Sequence, residues 1–548
     1  MKKIISLLLV LVMAFTIQMP ASAFELRLSG GDVPVVTIYG DGEPIYSKDG
    51  TEKIFHFSEI VDQLMSSAKD SLGESLVNML KPFFVDGIAK DNWDSFYAVL
   101  EQEMSRIFAE SRYSDDGENV NGSDVHPDRR KKMEELAARD AKKVNGEYYY
   151  RDYQFWYDWR QDPYKTADEF HSYIEAIKVT TGKPKVSIIA RCLGTSVLMA
   201  YIDKYGTGSL HGISFDGSIA AGAEIVSEII SGKSDVDLTA LNRMLNDLNN
   251  DGTVGLDSFI LATIDLLART LNAVGFDLEE TAAHKKLAAG VFAAGSRATF
   301  FTWPGYWALV SPEDYDDAIT GVFGPEGSAE RVKYAKLIEK VDKYQKNVSR
   351  RMETLLKGAE ADGVKIGIIA KYGYQIAPVI ESKDMVADQY VTVEKASFGA
   401  TTTTVYDTFS DEYIAKRVAE GKGKYISPDK HIDASTCIFP DYTWFTKGIS
   451  HSNWTSLESA LLFQVVTADE QLTIDDFDLT QFIMYDKETG NGYPMTEENC
   501  NTEPWEADKN YDRPENIIGK IIAFFKSFVN WIKELFGFAS DLVQEKTN

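Results

Sequence analysis

Basic residues are scarce in this chain of 548 residues: 57 Lys and Arg stand against 84 Asp and Glu, a formal net charge of −27. That deficit argues against nucleic acid as a partner and against electrostatic docking on anionic lipid. Histidine and cysteine are few as well, at 7 and 3. No phosphate-binding loop, no dinucleotide fingerprint and no convincing metal-ligand cluster is written in the sequence, so no cofactor is expected and no metal. After the first residues, no run is long and charge-free enough to cross a bilayer.

The apolar run that does exist is at the start. Lys2 and Lys3, the apolar Ile4 to Ile17 and Ala21-Ser22-Ala23 read as a secretory signal over residues 1–23, cleaved before Phe24. The expected product is an exported soluble protein, extracellular or associated with the cell envelope. In an oxidising compartment an odd cysteine count suggests one pair and one single thiol. Cys437 with Cys500 is the expected bridge, leaving Cys192 single.

Cys192 has the most informative surroundings. The apolar Val186 to Ala190 runs into Arg191-Cys192-Leu193-Gly194, and a helical pattern follows, with Val197, Leu198, Tyr201 and Ile202 on one face. A strand, a tight turn with small residues two before and two after the central side chain, and a helix make a nucleophile elbow, here with cysteine in place of the usual serine. The turn sets the sulfur at a helix N-terminus, where unpaired amides favour negative charge. An inert buried cysteine in an ordinary strand-to-helix connection is the alternative.

Around the elbow, strand and helix patterns alternate from Val33 to the segment Val364–Ala370, as a mostly parallel sheet with crossover helices requires. The expected fold class is α/β, with helical insertions at about 52–145 and 223–360. Residues 456–516 read as an acidic, loop-rich extension, and 517–541 as a C-terminal amphipathic helix.

Three further stretches carry a family resemblance. Val33–Gly42 looks like a first core strand with its oxyanion loop; Phe155-Trp156-Tyr157-Asp158-Trp159-Arg160 looks like a "YDWR" strand; Trp303-Pro304-Gly305-Tyr306-Trp307 is similar to a proline-centred lid motif. Together they resemble the α/β-hydrolase superfamily, in its lecithin–cholesterol acyltransferase-like and lipase-like branch, over roughly Val33 to His451. The resemblance implies an α/β-hydrolase fold for residues 24–455, with Trp303 to Trp307 near the mouth of the pocket. The cysteine departs from the serine of that branch and is instead what dienelactone hydrolases and polyhydroxyalkanoate synthases carry.

In such an enzyme the triad runs nucleophile, acid, base along the chain. His451, closing the segment Phe445–Ser450, is the expected base, with His431 the weaker choice. Asp388, in Asp388-Gln389-Tyr390-Val391, resembles the family's Asp-Gly-x-Val acid motif, and Asp433 is the alternative. The amides of Leu193 and of Gly40 or Asp41 would bind the oxyanion. Asp251-Gly252-Thr253-Val254 also matches the acid motif but precedes the relevant strand; with Asp247 and Asn249 it resembles half a calcium loop, whose closing position is Ser258 instead of a carboxylate.

The expectation is therefore a Cys192–His451–Asp388 hydrolase of acyl esters or thioesters, with an acyl-containing small molecule or lipid as substrate. Acyl transfer to lipid or cell-envelope acceptors is the alternative within enzymes, and a non-catalytic binding protein on the same scaffold is the alternative outside them. Residues 517–536 pair a wide apolar face with a locally basic one, which suits peripheral membrane contact or docking on the protein body.

Overall fold

The computed structural model describes residues 33–56, 92–139, 153–233 and 300–500, apart from residues 41, 377, 478 and 487–489, with short pieces between these blocks. The expected signal segment 1–23, the segment 247–258 and the expected amphipathic helix at 517–541 lie outside the described residues. Among the described residues no helix is long and apolar enough to cross a membrane.

The centre is an eight-stranded, mostly parallel sheet. Its strands are β1 (Val35–Ile38), β2 (Tyr153–Phe155), β3 (Val186–Arg191), β4 (Leu210–Asp216), β5 (Lys365–Tyr372), β6 (Thr443–Lys447), β7 (Phe482–Asp486) and β8 (Asn491–Pro494). Their spatial order is β8-β7-β6-β5-β4-β3-β1-β2. All pairs are parallel except β7 with β8. The expected α/β class is present, and the segments around 33–38, 186–190 and 364–370 share this sheet.

β3 is buried along its whole length, and β5 at every position after Lys365. Covered on both faces, such strands read as continuous apolar runs instead of alternating ones. One face is covered by α1 (Pro163–Thr181) and α2 (Gly194–Tyr205), which pack on each other. The other is covered by α4 (Ser456–Thr467), which crosses β3, β4 and β5. A further helix, α3 (Glu224–Ser231), follows β4. α1 begins at Pro163, where the Asp162 side chain accepts the Tyr164 amide, and ends at Gly182 with φ +69°. The Thr166–Glu169 stretch, which has the look of a capping box, is thus already inside the helix.

The chain passes from β1 outward to β2 and then crosses to β3 on β1's other side. The strand order therefore reverses between β1 and β3, and the carboxyl ends of two such strands are where open α/β sheets place their ligands. The Gly40 loop and the Cys192 elbow are both placed there.

Three expectations need correction. All three cysteines are thiols, so the Cys437–Cys500 bridge is not formed. Cys437 is buried beside Ser397 and Thr443, and burial pushes its thiol up to about 12. Cys500 instead directs its sulfur to the Glu497 carbonyl. The cysteine count consequently no longer singles out Cys192. Second, the stretch 456–516 is not loop-rich throughout: it supplies α4, β7 and β8. α4 buries Leu461, Leu462, Phe463, Val465 and Val466, too many sides for a 3.6-residue periodicity to stand out.

Third, the Trp303–Trp307 motif is a joint inside the core, not the rim of a pocket. Trp303 and Trp307 are buried; the Trp303 ring meets Trp159 edge-on at 5.4 Å and its indole N–H donates to the Ser111 carbonyl. The Gly305 amide donates to the Arg160 carbonyl at 3.0 Å, so the two aromatic motifs interlock. Arg160 is wholly buried and meets both carboxylate oxygens of Asp158, at 2.8 and 2.7 Å. Its remaining donors reach the Ser111 carbonyl and the Ser123 hydroxyl, and Tyr113 donates to Asp158 at 2.6 Å.

Candidate active site

The elbow is built by strain at one residue and by small neighbours around it. Cys192 has φ +49°, in the left-handed region that a residue with a side chain seldom occupies. Its amide donates to the Asp216 carbonyl at 3.3 Å, tying the turn to the end of β4, and its carbonyl accepts from the Thr195 amide and hydroxyl. A side chain at Gly194 would come within 2.8 Å of both the Ile38 and Tyr39 carbonyls, which is why this position is glycine. Ala190, two residues before the cysteine, is buried in β3.

Gly40, just past β1, presses on the same point. A methyl group there would lie 3.0 Å from the Cys192 sulfur and 3.3 Å from the Leu193 nitrogen. The absence of a side chain thus keeps the approach to the sulfur and to that amide clear. Leu193 caps α2, where amides lack partners within the helix. Asp41 lies outside the described residues.

Asp388 and His451 are brought together. His451 Nδ1 is 2.8 Å from Asp388 Oδ2, and the His451 amide donates to the Asp388 carbonyl at 2.8 Å. The other carboxylate oxygen accepts the amides of Tyr390 and Val391 at 3.1 and 3.0 Å, fixing Asp388 in a tight turn. Gln389, where the resembled motif has glycine, takes φ +90° to make that turn. Both partners are buried; His451 Nε2 has no hydrogen-bond partner among the described residues. The imidazole lies over Gly217, with 3.4 Å from its Cε1 to where a Cβ on that glycine would be. Gly217 follows the residue whose carbonyl holds Cys192, so thiol and imidazole flank the same end of β4.

The competing residues are elsewhere. Asp433 accepts from Tyr413 at 2.8 Å and pairs with Arg417 at 2.7 Å. His431 Nδ1 meets the Thr403 hydroxyl, and burial pushes its pKa below the ordinary value.

Sequence reasoning missed a buried charge cluster behind the elbow. Arg191, the residue before the cysteine, lies 3.4 Å from Asp216; Lys371 lies 3.1 Å from Asp216 and 3.9 Å from Glu458. The Trp454 ring packs under both cations, 4.5 Å from the Arg191 guanidinium carbon and 3.8 Å from Lys371 Nζ, which also donates to the Asn453 carbonyl. The loop that begins at His451 is therefore anchored from its far end. Charged residues at strand ends were the visible signal, but only the sheet order brings them together.

Within this cluster burial, with Asp216 adding to it and Lys371 opposing it, pushes Glu458 up to about 7. The folded protein then keeps a proton that the unfolded chain releases near the ordinary carboxyl value of 4.5. This contribution to stability is full below that value and is lost as pH rises through about 7, by on the order of 3 kcal/mol. Glu458→Gln keeps the cap with Thr455 and removes this titration. The fall in melting temperature between about pH 5 and pH 8 should be shallower in the variant, as scanning calorimetry would show.

Among the described residues no cluster of histidine, cysteine and acidic side chains could hold a metal ion. Comparison with protein-family models, with curated proteins and with solved structures finds no match to this chain.

Proposed function

We propose that this chain is an exported hydrolase of acyl esters or thioesters, with an α/β-hydrolase fold, that works through an acyl-enzyme on Cys192. The observation that carries the reading is the buried His451–Asp388 pair at 2.8 Å, whose imidazole lies over Gly217, at the strand end where the Asp216 carbonyl holds a cysteine with φ +49°. The order along the chain supports it, with the nucleophile after β3, the acid beyond β5 and the base after β6.

In the first step His451 Nε2 takes the thiol proton, and the sulfur adds to the acyl carbonyl carbon. Asp388 holds the imidazole in the tautomer whose Nε2 accepts, and stabilises the imidazolium. The Leu193 amide and the loop at Gly40 face the developing oxyanion. Collapse of the tetrahedral adduct expels the alcohol or thiol, which takes the proton from His451. A water molecule, deprotonated by the same imidazole, then adds to the thioester, and the acid leaves as Cys192 regains its proton.

Hydrolysis of p-nitrophenyl butyrate, with intact-protein mass spectrometry of the stalled enzyme, tests this. Wild type should gain the mass of one butyryl group, on the peptide containing Cys192. Asp388→Asn should lower turnover by about 10³- to 10⁴-fold, because the amide favours the wrong imidazole tautomer. Asp433→Asn should leave turnover near wild type. Equal losses in the two variants, or an adduct on another residue, would refute the assignment.

A further inference from the structure

α3 carries Glu224 and Glu228 one turn apart, and the reaction above uses neither. Both are buried, and both reach the segment that bears Asp388. Glu224 accepts the Thr392 amide at 3.1 Å and the Thr392 hydroxyl at 2.5 Å. Glu228 accepts the Ser382 amide at 3.1 Å and the Ser382 hydroxyl. Each carboxylate thus holds one residue by two bonds, one ahead of Asp388 and one beyond it.

Between the two grips the chain has little freedom. Val386–Ala387 pairs antiparallel with Tyr374–Gln375, and the Asp388 amide donates to the Val391 carbonyl to close the acid turn. Thr392 is the next residue, and it caps the short helix Val393–Ala396. α3 is itself fixed on its other side, where Ser227 donates to Asp314, the partner of Lys233. Among the described residues no ion pair reaches Glu224; the nearby Lys395 pairs with Glu313. Burial pushes the Glu224 carboxyl up to about 7.

We propose that Glu224 is a positioning residue for the reaction. By holding Thr392 it fixes the exit of the turn that aims Asp388 at His451, and Glu228 fixes the entry. This role rests on the Cys192–His451–Asp388 reading. A glutamine can make the same two bonds, accepting from the amide and donating to the hydroxyl oxygen, whereas alanine makes neither.

The test uses the full chain, p-nitrophenyl butyrate turnover and the pH profile of Cys192 alkylation by iodoacetamide. Glu224→Ala should lower kcat by about 30- to 100-fold with KM within about twofold, the scale of a misplacement near 1 Å. Its alkylation midpoint should move to higher pH, because a poorly oriented imidazole stabilises the thiolate less. Glu224→Gln should restore kcat to within about threefold of wild type and return the midpoint. Thr392→Val, which removes only the hydroxyl and leaves the buried carboxyl in place, should lower kcat by about three- to tenfold.

Glu224→Ala with unchanged kcat and midpoint would overturn the proposal, as would Glu224→Gln as impaired as Glu224→Ala. If Glu224→Ala does not fold, Thr392→Val decides, and an unchanged kcat there overturns it. Cys192→Ala separates the two ideas. Full turnover in that variant removes the catalytic reading, whereas an inactive Cys192→Ala beside an unimpaired Glu224→Ala removes only the positioning role.

Discussion

Cys192→Ala should reduce ester turnover to background, a loss of about 10⁴-fold or more, and abolish the covalent acyl adduct. The size follows from the proposed role: alanine leaves the Leu193 amide and His451 in place but removes the atom that would form the bond. Cys192→Ser is the informative companion. It restores the side chain usual at such an elbow, but an alcohol is a far weaker acid than a thiol, and a base suited to a thiol activates an alcohol poorly. We expect that variant to lose most activity as well. Retention of full turnover by Cys192→Ala would sink the cysteine-hydrolase reading and leave the inert scaffold as the better account. Adduct mass and steady-state kinetics on the same preparations decide the matter.

Asp158→Ala should be the most destabilising single change described here, lowering unfolding free energy by about 3–5 kcal/mol. Arg160 is wholly buried, and Asp158 meets it through both carboxylate oxygens. Removing the carboxylate strands a guanidinium where water cannot reach it, and Tyr113 loses its acceptor. The damage should spread, because the Arg160 carbonyl holds Gly305 and the Ser111 carbonyl accepts from both Arg160 and Trp303. Denaturant unfolding would measure it. A loss below about 1 kcal/mol would mean that the joint between the two aromatic motifs contributes little.

The site was legible in the sequence where its geometry is local. Strand, small residues and helix mark the elbow because the turn at Cys192 leaves room for no bulky neighbour, and Gly194 lies against two carbonyls. The place of His451 after a strand and loop favoured it over His431, which sits in a polar turn, and the motif at Asp388 favoured it over Asp433, even with Gln389 in the place of glycine. What the sequence hid is non-local. Arg191, Asp216, Lys371 and Glu458 come from three strands and a helix, and only the parallel register makes them one cluster. Glu224 shows nothing in its own segment of the Thr392 it holds. The supposed bridge failed for a related reason: counting cysteines ignores where each sulfur points.

The two ends of the central sheet have a bearing on behaviour at high concentration. An open strand edge is a template on which a second chain can add. On one side the outermost strand, β2, is only three residues long. On the other, β8 turns back antiparallel and reads Asn-Gly-Tyr-Pro, with Pro494 lacking an amide to offer. Among the described residues neither border gives a neighbouring molecule a long ladder to extend, which works against edge-to-edge pairing of two chains.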